Sequence, residues 1–123
     1  MPLRCWWNNP QKERKHVVLV IPEVFGINNW VKSVVDRLAK NGIPALAMPL
    51  FARTAPDLNL GYSEDDLVEG RRHKAQTTAQ NILDGASSSL HWLKQQYSQA
   101  KITLVGFCFG GHAALITSTL QEV

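Results

Sequence analysis

The stretch from Lys101 to Thr119, KITLVGFCFGGHAALITST, limits the possible folds more than any other part of the chain. It opens with an aliphatic run, Ile102 to Val105. The frame Gly106-Phe107-Cys108-Phe109-Gly110 follows, with a further glycine at Gly111. After it comes an Ala/Leu/Ile-rich pattern of helical character. The sequence therefore predicts a strand, a sharp turn and a helix, with a thiol at the apex and small residues around it.

This frame is a nucleophile elbow, G-x-S-x-G with cysteine in place of serine. An apex residue must adopt a strained backbone to hold its side chain clear of the sheet, and side chains beside it would collide with the adjoining strand or helix. The amide after the apex lies at a helix N-terminus, where donors are unpaired and the dipole favours negative charge, thiolate included. A lone cysteine at a strand end reads as a small buried residue. One inside this frame reads as a nucleophile. A dinucleotide loop does not fit, because Gly106, Gly110 and Gly111 do not have the G-x-G-x-x-G spacing.

Length and composition set the outer limits. A chain of 123 residues is expected to form one domain over residues 1–123, and 45% hydrophobic residues suffice for a core. No apolar run approaches a membrane span, and the N-terminus lacks an apolar signal segment. The expectation is a cytoplasmic protein without a membrane partner. The net charge of +3 is mild. Its densest basic clusters are Arg71, Arg72 and Lys74, and Lys12, Arg14 and Lys15. Neither is interleaved with aromatics, so both read as solvated faces and no nucleic-acid partner is expected. Cys5 and Cys108 make no disulfide framework, and nothing suggests zinc; no metal or cofactor is expected. A free thiol nucleophile suits a reducing compartment.

Along the chain, Leu3 to Trp7 reads as a piece of strand whose tryptophans cover a core edge. Asn8-Asn9-Pro10 reads as a turn, and Gln11 to Lys15 as a polar approach. Val17 to Ile21 is a continuous aliphatic run, the mark of a strand buried on both faces. It leads into Pro22-Glu23-Val24-Phe25-Gly26. Asn28 or Asn29 can cap a helix whose Trp30, Val31, Val34, Val35, Leu38 and Ala39 share one face, and Asn41-Gly42 stops it. Ile43 to Met48 is the next strand. Ser63 to Lys74 reads as a charged helix opened by a capping-box pair, Ser63 and Asp66. Ala79, Ile82, Leu83, Ala86, Leu90 and Leu93 trace an amphipathic helix ending near Tyr97, in which Gly85 is expected to mark a close crossing. Alternation of strands and helices predicts an α/β fold, a parallel sheet of three to four strands flanked by helices. Sites in such sheets lie at the carboxyl ends of the strands. That rule would bring Glu23, Arg53 and Cys108 to one rim.

The segments IPEVFGIN, MPLFAR and KITLVGFCFGG resemble, in this order, those of the dienelactone hydrolase family of the α/β-hydrolase fold. The resemblance runs from about Val17 to the end. It implies a hydrolase acting on a small carboxylic ester or lactone. It also implies that Cys108 is the nucleophile and that Glu23 contacts the resting thiol and helps to activate it. The oxyanion hole would be the backbone N–H groups of Val24 and Phe109, and Arg53 would pair with a substrate carboxylate. The plainer readings are a helix-capping role for Glu23 and a surface ion pair for Arg53. His112, one turn past Cys108, is expected to point away from the cleft, and His16, His73 and His91 to be surface or helix-face residues.

The chain departs from the family in one respect. The α/β-hydrolase order is nucleophile, acid, histidine. Fifteen residues follow Cys108, with no aspartate and with His112 as their one histidine. The triad acid and base, and the later strands of the sheet, are thus missing. The sequence reads as the N-terminal half of such an enzyme: a shortened reading frame, one product of a split gene, or a deliberately cut piece. Hydrolysis by the chain alone is expected to be very weak. The nucleophile's strand would lie at an open edge, where a complementary C-terminal half or a second copy could pair. The alternative is a non-catalytic half-domain that binds a partner through that edge.

Overall fold

Residue pattern and sheet position agree at the central strand. In the computed structural model, which describes residues 3–8, 15–121 and 123, β2 (His16–Ile21) is buried at every position after His16. Its side chains divide between two faces. Val17, Leu19 and Ile21 join one core cluster, and Val18 and Val20 join the other. A strand with apolar neighbours on both faces needs no polar alternation, which accounts for the unbroken VVLVI run from Val17 to Ile21.

The sheet order is β1-β3-β2-β4, with β1 at Trp6–Asn8, β3 at Ala45–Ala47 and β4 at Lys101–Gly106. β2 pairs in parallel with β3 and with β4. The sheet is not wholly parallel, because β1 adds to β3 in the antiparallel sense, Trp7 opposite Leu46. Two aromatic residues in a three-residue strand carry too little pattern to reveal that pairing. Trp7 meets Trp92 edge to face at 4.8 Å, so it does cover a margin of the core. At the other side of the sheet β4 pairs, among the described residues, with β2 alone and presents its outer edge. The turn at Asn9-Pro10 and the polar approach through Gln11 to Arg14, with basic residues Lys12 and Arg14, lie outside the described residues.

One face is covered by α1 (Asn29–Lys40), which buries Val31, Val35 and Ala39. Asn28 is its cap and accepts a hydrogen bond from the Val31 amide at 3.1 Å. Trp30 departs from the expected buried face: it stays 43% exposed and packs edge to face on Phe107 at 4.7 Å. The helix stops at Gly42, whose φ of 82° a side chain would resist. The other face is covered by α3 (Ala79–Gln96), through Ile82, Ala86, Leu90 and Leu93, and by α4 (Phe109–Thr117), through Ala113. Gly85 marks no tight crossing, since a Cβ there would lie 3.5 Å from the flexible end of Met48. The charged helix α2 (Glu64–Ala75) has both halves of the capping box between Ser63 and Asp66. No helix among the described residues is long and apolar enough to cross a membrane.

Candidate active site

The turn after β4 is held to the end of β2, because the Phe107 amide donates to the Ile21 carbonyl at 3.1 Å. Cys108 follows with φ 54° and ψ −117°, the one positive φ outside glycine among the described residues. Such a conformation stores on the order of 1–3 kcal/mol and needs surroundings that enforce it. Here the enforcement is steric. A Cβ on Gly106 would lie 2.1 Å from the Gly110 carbonyl oxygen, and one on Gly110 would lie 2.2 Å from that of Ile21. Strand and helix therefore meet backbone to backbone on both sides of the apex. Gly111 is different: its Cβ would stay 3.7 Å from the nearest atom. The frame's two glycines are thus structural necessities, and the third is not. Cys108 itself is exposed.

Cys108 opens onto a cavity of about 450 Å³, which it lines with Val24, Leu67, Arg71, Lys74, Phe109 and His112. Val24 and Phe109 are the two residues whose amides the oxyanion-hole expectation named. Among the described residues neither amide donates to a backbone carbonyl in the turns and caps around the elbow, while the Gly110 and Gly111 amides do. Val24 is fixed by α2, where a Cβ on Gly70 would fall 2.5 Å from the Val24 carbonyl oxygen.

The other expected residues are placed differently. Glu23 is half-buried, and Oε1 accepts a hydrogen bond from the Tyr62 hydroxyl at 3.3 Å. Tyr62 in turn accepts from Asn28 Nδ2 at 3.1 Å, so a short donor chain runs from the cap of α1 to the carboxylate. Burial raises the Tyr62 pKa, the Asn28 amide opposes the rise, and the Glu23 charge adds to it. No hydrogen bond joins Glu23 to Cys108 among the described residues. Arg53 does not share the Cys108 cavity. It is paired with Asp84 at 3.1 Å and lines a separate cavity with Asp84 and Asn81. Glu23, Arg53 and Cys108 all follow the carboxyl ends of the parallel strands β2, β3 and β4, but among the described residues they line no common cavity.

Two histidines also differ from expectation. His112 does not point away, since it lines the cavity and stacks on Phe109 with ring centroids 5.8 Å apart. On a helix, side chains lean toward the N-terminus, which here is the elbow. His73 is 7% exposed; its Nδ1 lies 3.2 Å from Thr54 Oγ1 and its ring stacks on Phe51. Phe51 also stacks on Phe109, so a file of rings joins the buried His73 to the residue after the elbow's apex. Arg71 and Lys74 are exposed, as expected of a solvated face, and they also line the Cys108 cavity. With Leu67 they recur at helical spacing, a signal in the sequence that goes unread without knowing which way α2 faces. Cys5 is the opposite of Cys108. It is half-buried, and burial pushes its thiol up to about 11, against a hydrogen bond with Ser89.

The sequence profile of the dienelactone hydrolase family matches residues 3–123. The chain is 33% identical over 109 residues to a Synechocystis sp. protein named "Putative carboxymethylenebutenolidase", covering 87% of this chain and 44% of that one. It is 29% identical over 116 residues to the carboxymethylenebutenolidase of Pseudomonas putida, covering 89% and 48%. A crystal structure of a "Putative Dienelactone Hydrolase" from Klebsiella pneumoniae superimposes with a TM-score of 0.77 at 20% identity, covering 92% of this chain and 47% of that one. The chain thus spans somewhat less than half the length of these relatives. With the elbow geometry, these matches establish that the chain belongs to the dienelactone hydrolase family.

Proposed function

We propose that this chain carries the nucleophile and oxyanion-binding half of a hydrolase for small carboxylic esters or lactones. One observation carries the reading: an exposed Cys108 at φ 54°, enforced by backbone contacts at Gly106 and Gly110, opens on a cavity shared with Val24 and Phe109. In the proposed reaction the Cys108 thiolate adds to the ester carbonyl, forming a C–S bond. The oxygen takes the negative charge and is held by the Val24 and Phe109 amides. Collapse breaks the C–O bond, and the alcohol leaves with a proton from solvent. Water then cleaves the thioester, its oxygen bonding to the acyl carbon as the C–S bond breaks, giving a carboxylate and the thiolate and releasing two protons to solvent. Glu23, tied to Tyr62, supports activation of the thiol once substrate is bound. Thiol chemistry of this kind is consistent with a cytoplasmic setting.

The slow step is expected to be the attack of water, since its proton needs a general base and no hydrogen-bonded carboxylate–histidine pair lines the Cys108 cavity among the described residues. An activated ester such as p-nitrophenyl acetate should therefore give a burst of one equivalent of nitrophenol and then a very slow release. The acetyl group should be found on Cys108 by mass spectrometry. Cys108→Ala should lose the burst, and Cys5→Ala should keep it. A burst that survives Cys108→Ala would end this reading. A second reading follows from the outer edge of β4: a complementary half or a second copy pairs there. Burst kinetics separate the two, because a pure binding module has no reason to acylate Cys108.

A further inference from the structure

The basic cluster of α2 sits on the wall of the elbow cavity. Leu67, Arg71 and Lys74 occupy one helical face and all line it. Three side chains able to carry positive charge, counting His112, therefore line this cavity with Cys108, and among the described residues no carboxylate lines it. The neighbouring cations are committed elsewhere. Arg72 lies 3.6 Å from Glu69, and Arg53 lies 3.1 Å from Asp84. Arg71 makes no ion pair among the described residues. Lys74 Nζ stands 5.0 Å from the centre of the Phe109 ring, which keeps its charge beside the first turn of α4. Gly70 explains why this face meets the elbow. Its bare Cα seats α2 on the Val24 carbonyl, and the residues that follow are carried to the cavity.

We infer that Arg71 and Lys74 are the specificity-determining residues of this site and hold the anionic group of the substrate, the task the family resemblance assigned to Arg53. Arg71 brings a planar fork that can take two carboxylate oxygens, and Lys74 a mobile point charge. The inference rests on Cys108 being the nucleophile. Its consequence is that the site prefers acyl compounds bearing a carboxylate over neutral ones of the same size.

Alkylation tests this without requiring turnover. Iodoacetate and iodoacetamide present the same reacting carbon. In each, the Cys108 thiolate forms a C–S bond as the C–I bond breaks and iodide leaves. They are close in size and differ chiefly in charge, and their unequal intrinsic reactivity cancels when the ratio is compared between variants. The quantity to read is the ratio of the two rate constants at Cys108, followed by peptide mass in the full chain at low ionic strength. Arg71→Gln and Lys74→Gln are each expected to lower the iodoacetate preference by about two- to fivefold, the scale of one solvent-exposed ion pair. Arg72→Gln and Arg53→Gln remove the same net charge and are expected to leave the ratio unchanged. Salt gives a readout without substitution: near 1 M, where screening acts over about 3 Å, the wild-type ratio should approach that of the double variant. A ratio unmoved in the double variant overturns the inference, as does an equal fall in Arg72→Gln or Arg53→Gln. A Cys108 that reacts with neither reagent removes the nucleophile reading itself, a result distinct from a reactive Cys108 with no charge preference.

Discussion

Adding one methyl group at Gly110 or at Gly111 should move stability in opposite directions. At Gly110 a Cβ would meet the Ile21 oxygen at 2.2 Å and the Pro22 oxygen at 2.4 Å. An ordinary carbon–oxygen contact is about 3.3 Å, so α4 and the end of β2 must part by roughly 1 Å. Both opposing atoms are backbone, and neither can swing aside. Forced expansion of this kind costs typically about 1–3 kcal/mol, against which alanine returns up to about 1 kcal/mol of helix propensity. Gly110→Ala should therefore lose about 2 kcal/mol. At Gly111 the nearest atom is 3.7 Å away, so the propensity gain stands alone and Gly111→Ala should gain about 0.5–1 kcal/mol. Urea unfolding followed by tryptophan fluorescence reads both changes. With a slope of roughly 2 kcal/mol/M, Gly110→Ala should lower the midpoint by about 1 M, and Gly111→Ala should raise it by a few tenths. Equal midpoints for the two variants, or a loss at Gly111 matching that at Gly110, would refute the close backbone approach on which the elbow depends.

Two further outcomes follow from the two cysteines. Cys108→Gly relieves a strained apex, so it should raise stability by about 1 kcal/mol while abolishing acylation; a fall in the urea midpoint would show that the apex is not strained. Cys5 ties stability to alkaline pH. Its thiol rises from 9.0 to about 11 on folding, chiefly through burial. Below pH 9 folded and unfolded chains both hold the proton. Between pH 9 and about 11 the unfolded chain loses it first, so stability falls as pH rises. Cys5→Ala should flatten that fall. Tyr62 and Tyr97, also raised by burial, keep their own contributions above pH 10. An unchanged alkaline slope in Cys5→Ala would place the thiol in solvent.

What the sequence reveals follows from how local the cause is. The elbow is legible because its glycines answer to atoms a few residues away or to the strand end that the turn must touch. β2 is legible because burial on both faces writes an unbroken aliphatic run, and α2 because Ser63 and Asp66 cap it within one turn. His112 turns toward the elbow for a local reason, its stacking on Phe109, but the other misplaced residues depend on partners distant in sequence. Arg53 is held by Asp84, 31 positions away, and no feature of MPLFAR encodes that pair. His73 is buried because Phe51 and Thr54 come to meet it, although its own helix is charged along most of its length. β1 reaches its place through Trp6 opposite Ala47. For α2 the deciding residue is Gly70. In a charged helix a glycine suggests weakness, since it costs about 1 kcal/mol against alanine. On Val24 it is the contact that orients the helix, and that orientation sets Arg71 and Lys74 beside the thiol. The charge pattern of α2 was in plain view in the sequence; its address was not, because the address is fixed by a missing side chain.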